Sequence, residues 1–286
     1  MNIEVCAAPI FVIGSPRSGT TALARALSDH RALWTSHESY VLHHLYGKDR
    51  AAEAWRRDAD RQQAPSWIKT EGVSKQEFLA FLGVGINALY TSRSGGRRWI
   101  EQTPLNTLMA DDLAAMFPGA QFVHIVRDGR QVVHSMNNFL AKFERRPAAR
   151  QYVPSWAADF AEACRTWRRW TETGAAFCAR HPDRAVTVVN ERLSADPTDG
   201  FGELYRFLGL DWEDGPVDAF SGGRVNSSFV GAAIARPSRQ APPTWDAERR
   251  AVFVEEAGEL MLSLGLASWE DLQDWLVSDG APVTLP

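Results

Sequence analysis

Cysteine is scarce in this chain. Its three residues, Cys6, Cys164 and Cys178, form no C-x-x-C pair. The odd count argues against a disulfide framework or a cysteine zinc site and points to a reducing compartment. Long hydrophobic runs are missing too: no stretch approaches the roughly 18 apolar residues of a membrane span. Met1 to Gly14 lacks the basic start and long apolar stretch of a signal peptide and reads as the first strand of a fold. The expectation is a cytoplasmic protein with no membrane anchor. A basic excess is also absent. With 31 Lys and Arg against 35 Asp and Glu, the net charge of −4 argues against a general nucleic-acid binder. No internal repeat or low-complexity tract interrupts the chain.

What is present suits a globular α/β protein. The 286 residues suit one large α/β domain or two small ones, and are enough for a sizeable core. Pro9 to Gly14 is a short apolar run, β-branched at Ile10, Val12 and Ile13, that reads as a buried parallel strand. Thr20 to Asp29 then repeats apolar residues at helical spacing. Trp99 to Glu101 is a candidate short strand, Pro104 to Phe117 a helix with proline in its first turn, and Gln121 to Val126 a second clear strand. A helix is expected over Gly129 to Phe143, a long amphipathic one from Trp156 through Trp170, a third strand over Ala185 to Val189, and helical structure over Asp246 to Leu276. The segment from Lys48 to Gln76 reads as polar, irregular and peripheral. Strands alternating with helices imply a P-loop-like, three-layer α/β/α fold with a mostly parallel central sheet and helical insertions, as one domain over residues 1–286.

Two places carry chemistry. The first is Gly14-Ser15-Pro16-Arg17-Ser18-Gly19-Thr20-Thr21, set between a buried strand and a helix. Backbone N–H groups and the positive helix end converge there, small residues let an anion approach, hydroxyls add donors, and Arg17 adds a fixed charge. A nucleotide triphosphatase loop reads G-x-x-x-x-G-K-[ST]. Gly14, Gly19 and Thr21 match it, but Thr20 holds the lysine position and the cation stands at Arg17. The second place is Arg127-Asp128-Gly129-Arg130, at the carboxyl end of a strand where open α/β sheets bind ligands, with Ser135 eight residues after Arg127. Arginine binds phosphate bidentately and a nearby hydroxyl shares the load. Anion sites on neighbouring strands suit a nucleotide with phosphates at both ends.

These residues resemble the 3′-phosphoadenosine 5′-phosphosulfate (PAPS)-dependent sulfotransferases. Pro16 to Thr21 looks like that family's 5′-phosphosulfate loop, and Arg127 with Ser135 looks like its 3′-phosphate motif. The run Arg127 to Met136 is especially similar to tyrosylprotein sulfotransferases and related bacterial sulfotransferases. The resemblance implies sulfuryl transfer from PAPS to an acceptor hydroxyl on a small molecule or peptide, with tyrosine, a phenol or an alcohol all open and PAP as product. It implies cofactor binding by Arg17, Ser18, Gly19, Thr20, Thr21, Arg127 and Ser135, and no metal. An ungapped match from Pro16 places the catalytic glutamate at Glu38, with Arg17 as its catalytic partner. The cofactor-binding core would span residues 9–30 and 97–190, and residues 36–90 and 142–156 would wall the acceptor pocket.

The sequence departs from the family at two positions. Gln102 stands where a lysine that helps stabilise the transferring group is common, and Asn190 stands where a tyrosine often contacts adenine. Arg236 and Arg239 are candidates to complete the 3′-phosphate site, and Asn226 to Phe229 adds weaker similarity. His37, His43 and His44 rival Glu38 as base. His37-Glu38 does not open an H-E-x-x-H zinc motif, because Val41 fills the second histidine's place. The competing readings are a P-loop small-molecule kinase, with Asp128 offered as magnesium ligand, and a nucleotide-binding module without catalysis.

Overall fold

The computed structural model describes residues 3–62, 64–139, 153–222 and 242–277. Among the described residues five strands form one sheet: β1 (Ile10–Ile13), β2 (Leu33–Thr35), β3 (Arg98–Glu101), β4 (Gln121–Val126) and β5 (Ala185–Val189). Their order is β2-β3-β1-β4-β5, and every pairing is parallel. The helices are α1 (Thr20–Leu27), α2 (Val41–Tyr46), α3 (Arg50–Ala59), α4 (Trp67–Thr70), α5 (Lys75–Ser94), α6 (Ala110–Met116), α7 (Gly129–Asn137) and α8 (Ser155–Ala158). They continue with α9 (Phe160–Arg180), α10 (Asn190–Ala195), α11 (Pro197–Leu208), α12 (Asp214–Gly222), α13 (Ala247–Ser263) and α14 (Trp269–Val277). Among the described residues no helix is long and apolar enough to cross a membrane.

Strand periodicity explains the layers. All four β1 residues are fully buried because successive side chains enter opposite faces, both covered by helices. Phe11 and Ile13 join a core with Trp99, Phe122, Leu79 of α5, Leu113 of α6 and Phe177 of α9. Ile10 and Val12 join a second core with Leu23 and Leu27 of α1 and with Phe201 and Leu204 of α11. A third cluster, lateral to these, packs Val132 and Met136 of α7 on Trp167 of α9 and Phe253 of α13. The fold is thus the P-loop-like α/β/α arrangement expected.

Several boundaries differ from the sequence reading. The edge strand β2 was not anticipated; its three residues are too few for a period-2 pattern to register. Residues 48–76 are mostly helical, as α3 and α4. The helix expected from Pro104 begins as a 3-10 turn over Pro104–Met109 before α6. The long helix expected from Trp156 breaks at Asp159, whose extended backbone and side chain cap α9 by accepting the Glu162 N–H (2.7 Å). The C-terminal helical stretch is two helices, and Gly265 between them has φ 63°.

Sheet order fixes where a ligand can sit. From β1 the chain runs to one side through β2 and β3, then returns to place β4 on the other side. The β1–β4 boundary is therefore a switch point, where the carboxyl ends of adjacent strands open a crevice. Both sequence motifs leave the sheet there.

Candidate functional site

The loop after β1 is shaped by close approach. A Cβ on Gly14 would lie 2.5 Å from the Ile125 carbonyl oxygen, so only glycine lets β1 exit against β4 here. Gly19, the N-cap of α1, has φ 107°, a region closed to L side chains in practice. Arg17 takes φ 74°, and the Ser18 N–H donates to the Ser15 carbonyl (3.1 Å), closing a turn. Ser15, Ser18, Thr20 and Thr21 are all buried. The Ser18 hydroxyl oxygen has no hydrogen-bond partner among the described residues, which is costly for a buried polar atom unless something else occupies the cradle.

Three bonds connect this loop to the rest of the site. Arg17 Nε donates to Ser135 Oγ on α7 (3.1 Å), while its guanidinium lies over the Phe139 ring (5.6 Å). Thr21 Oγ1 donates to Glu38 Oε1 (3.2 Å), tying the first turn of α1 to the loop after β2. Asn190 Nδ2, from the start of α10, donates to the Ser18 carbonyl (3.3 Å). Asn190 thus braces the loop backbone.

The electrostatics are those of an anion site. Burial pushes the Arg17 guanidinium below its ordinary pKa; Glu38 opposes that shift and the neighbouring charge of Arg127 adds to it. Arg127, leaving β4, is likewise lowered by burial, with Glu191 and Asp128 opposing. Both arginines would gain from a bound anion that favours their charged forms. Asp128 caps α7 by accepting the Arg130 N–H (2.8 Å), and its other oxygen accepts from Arg130 Nη2 (2.6 Å). The Asp128 N–H in turn donates to Glu191 Oε1 (3.0 Å).

Glu38 is half-buried, and both of its oxygens are engaged. Tyr40 OH donates to Oε2 (2.9 Å), opposite the Thr21 bond. Burial and the Glu38 charge together hold the Tyr40 phenol well above its usual range. The rival histidines sit differently. His37 is exposed, and His44 stacks on the outer Tyr40 ring (6.2 Å). His43 is lowered by burial and by the adjacent positive charges of His44, Arg50 and Lys48. No hydrogen bond among those of the described residues joins any of the three to Thr21 or Glu38.

Of the expected site residues, Arg17 bonds to Ser135 and Thr21 to Glu38, Ser18, Gly19 and Thr20 lie on the loop between them, and Arg127 is in electrostatic reach of Arg17. Gln102 is buried and its Nε2 is drawn to the Ser36 carbonyl (2.8 Å). Arg236, Arg239, the segment 226–229 and residues 142–152 lie outside the described residues. Sequence reading missed Glu101, a buried carboxyl at the end of β3 whose burial pushes its pKa up against the hydrogen bonds it accepts from Thr103 and Ser39. The only sequence signal was a charged residue closing an apolar strand.

Known proteins similar to this chain are sulfotransferases. A protein-tyrosine sulfotransferase 1 from Danio rerio is 26% identical over 206 residues, which is 72% of this chain and 54% of the relative. A protein-tyrosine sulfotransferase 2 from Gallus gallus is 24% identical over 208 residues, 72% of this chain and 52% of that protein. The chain thus spans about half the length of these curated relatives. A sulfotransferase structure from Mycobacterium avium superposes with a TM-score of 0.52 over 91% of this chain and 77% of that one, at 12% identity, a likeness of fold. Residues 9–214 match the profile of the Sulfotransferase family, and the chain belongs to that family.

Proposed function

We propose that this chain transfers a sulfuryl group from PAPS to an acceptor hydroxyl. The observation that carries the reading is the Arg17 Nε to Ser135 Oγ bond (3.1 Å), because it joins the motifs expected to hold opposite ends of one nucleotide. The residues fit that ligand: a buried Ser18 hydroxyl with no hydrogen-bond partner among the described residues, a glycine cradle at a helix N-terminus, and two half-buried arginines. Ser18, Gly19, Thr20 and Thr21 with Arg17 would hold the 5′-phosphosulfate. Arg127 and Ser135 would hold the 3′-phosphate. Bound PAPS supplies the activated sulfuryl group.

The protein's own contribution is orientation, charge and proton transfer. Arg17 and the N-terminus of α1 set a positive potential at the 5′ end. Glu38 acts as general base: one carboxylate oxygen takes the acceptor's proton when the Tyr40 hydroxyl yields its place, while Thr21 keeps the other oxygen oriented. Thr20 at the lysine position and Asp128 held by Arg130 weigh against a kinase that needs both for phosphate and magnesium. The relatives named as protein-tyrosine sulfotransferases make a tyrosine hydroxyl the first acceptor to try.

The test is mass spectrometry of tyrosine peptides, simple phenols and alcohols incubated with PAPS, read for the mass of one added sulfuryl group. Glu38→Gln is expected to retain the rise in melting temperature caused by PAP and to lose transfer. Normal turnover by that variant, or magnesium-dependent transfer from ATP, defeats the assignment.

A further inference from the structure

The loop that carries Glu38 is fastened from behind by residues 101–103. Glu101 is only 5% exposed, and four donors reach its carboxylate. Oε1 accepts from Thr103 Oγ1 (2.6 Å) and Ser39 Oγ (3.5 Å), and Oε2 accepts from the Thr103 N–H (3.1 Å) and from Asn106 Nδ2. Thr103 Oγ1 relays the contact by accepting the Ser39 N–H (3.2 Å). The Ser39 hydroxyl also meets Tyr90 OH (2.6 Å). On the other side of Glu38, Gln102 Nε2 holds the Ser36 carbonyl (2.8 Å). The backbone is thus pinned on both sides of Glu38, to the end of a central strand.

A carboxyl in a core is expensive unless its oxygens are fully hydrogen-bonded, and an apolar residue would close β3 at lower cost. A polar network of this kind earns its place by fixing one geometry. We propose that Glu101 is the positioning residue for Glu38: through Thr103 and Ser39 it holds the 36–40 loop so that Glu38 faces Thr21 and the nucleotide crevice. The role rests on the reading of Glu38 as base. Glu101 acts on Glu38 through this loop and through the mutual repulsion of the two carboxyl groups.

Three variants separate this role from general stability. E101Q keeps the volume but turns one acceptor oxygen into an amide donor facing Thr103 or Asn106. T103V removes the relaying hydroxyl at constant shape, and T103S restores it. Amide hydrogen exchange, the melting shift given by PAP, and kinetics with PAPS and p-nitrophenol are measured on each. Exchange over residues 36–41 is expected to accelerate in E101Q and T103V and to stay as in the parent in T103S. The PAP shift and the KM for PAPS should not change, while kcat in E101Q falls on the order of 100-fold, as for a misplaced catalytic group. Unchanged protection of 36–41 in both E101Q and T103V overturns the proposal. So does a loss of protection spread across the chain together with a lost PAP shift. If E101Q fails to fold, the T103V and T103S pair decides. A parent protein that ignores PAP and p-nitrophenol removes the sulfotransfer reading, and the exchange data still judge whether Glu101 holds the loop.

Discussion

At the residue scale, Arg127 and His124 show what burial does to a charge on one strand. Arg127 is half-buried at the end of β4 with its charged form disfavoured, so an anion there regains what burial cost. Arg127→Ala is expected to weaken PAP binding on the order of 100-fold, the loss of charge-assisted contacts worth about 3 kcal/mol, as read by calorimetry. Folding stability should hardly move, because the side chain is not part of a core cluster. His124, on the same strand, is the opposite case. It is fully buried against Gly174 of α9, and burial lowers its pKa from 6.5 to about 4. The folded state keeps it neutral while the unfolded chain protonates first. Its contribution is therefore intact above pH 6.5 and is lost as pH falls toward 4, by about 3 kcal/mol across the window. Urea melts at several pH values should show a shallower acid slope in His124→Asn than in the parent; parallel slopes would mean His124 is not the titrating group.

At the element scale, the strand–loop–helix unit was legible in the sequence because local chemistry fixes it. Gly14 and Gly19 flank small hydroxyl residues, and the structure uses each glycine for a stated reason: one for the 2.5 Å approach to Ile125, the other for φ 107°. Both substitutions have predictable costs. Gly14→Ala forces backbone apart at the β1–β4 seam and should lower stability by about 2–3 kcal/mol, seen in thermal melts. Gly19→Ala meets the Asn190 side chain, which can move, but must strain the N-cap; a cost of about 1–2 kcal/mol is expected, together with weaker PAP binding. Equal losses in both would contradict this distinction. The Arg127 and Ser135 pair was also legible, since eight residues span the strand end and two turns of α7. What could not be read depends on distant packing. Three-residue β2 carries no period, yet it delivers Glu38. The break at Asp159 needs a cap that competes with an otherwise continuous apolar stripe. Glu101 looked like the end of a strand, because its partners Ser39 and Asn106 come from separate segments.

At the scale of the whole molecule, the switch point decides how binding and stability couple. The β1 side of the crevice belongs to the N-terminal part of the chain and the β4 side to its middle, and the sheet, the Arg17–Ser135 bond and the Arg17–Phe139 contact hold the two anion cradles in register. One ligand gripping both cradles makes its second contact an intramolecular event, with an effective concentration far above that of a free second ligand. At 100 times its dissociation constant, PAP should stabilise the fold by about 2.7 kcal/mol. For a chain of this size that is a rise of roughly 5 °C in melting temperature. An equimolar mixture of adenosine 5′-monophosphate and adenosine 3′-monophosphate, at the same total phosphate, should give a clearly smaller rise, because each occupies one cradle without the linkage. Raising the salt should erode all of these shifts, because each rests on pairing phosphate with the arginines and the helix N-terminus. Equal shifts from the mixture and from PAP would mean two independent anion sites that never share a ligand, and the nucleotide-bridging site would have to be given up.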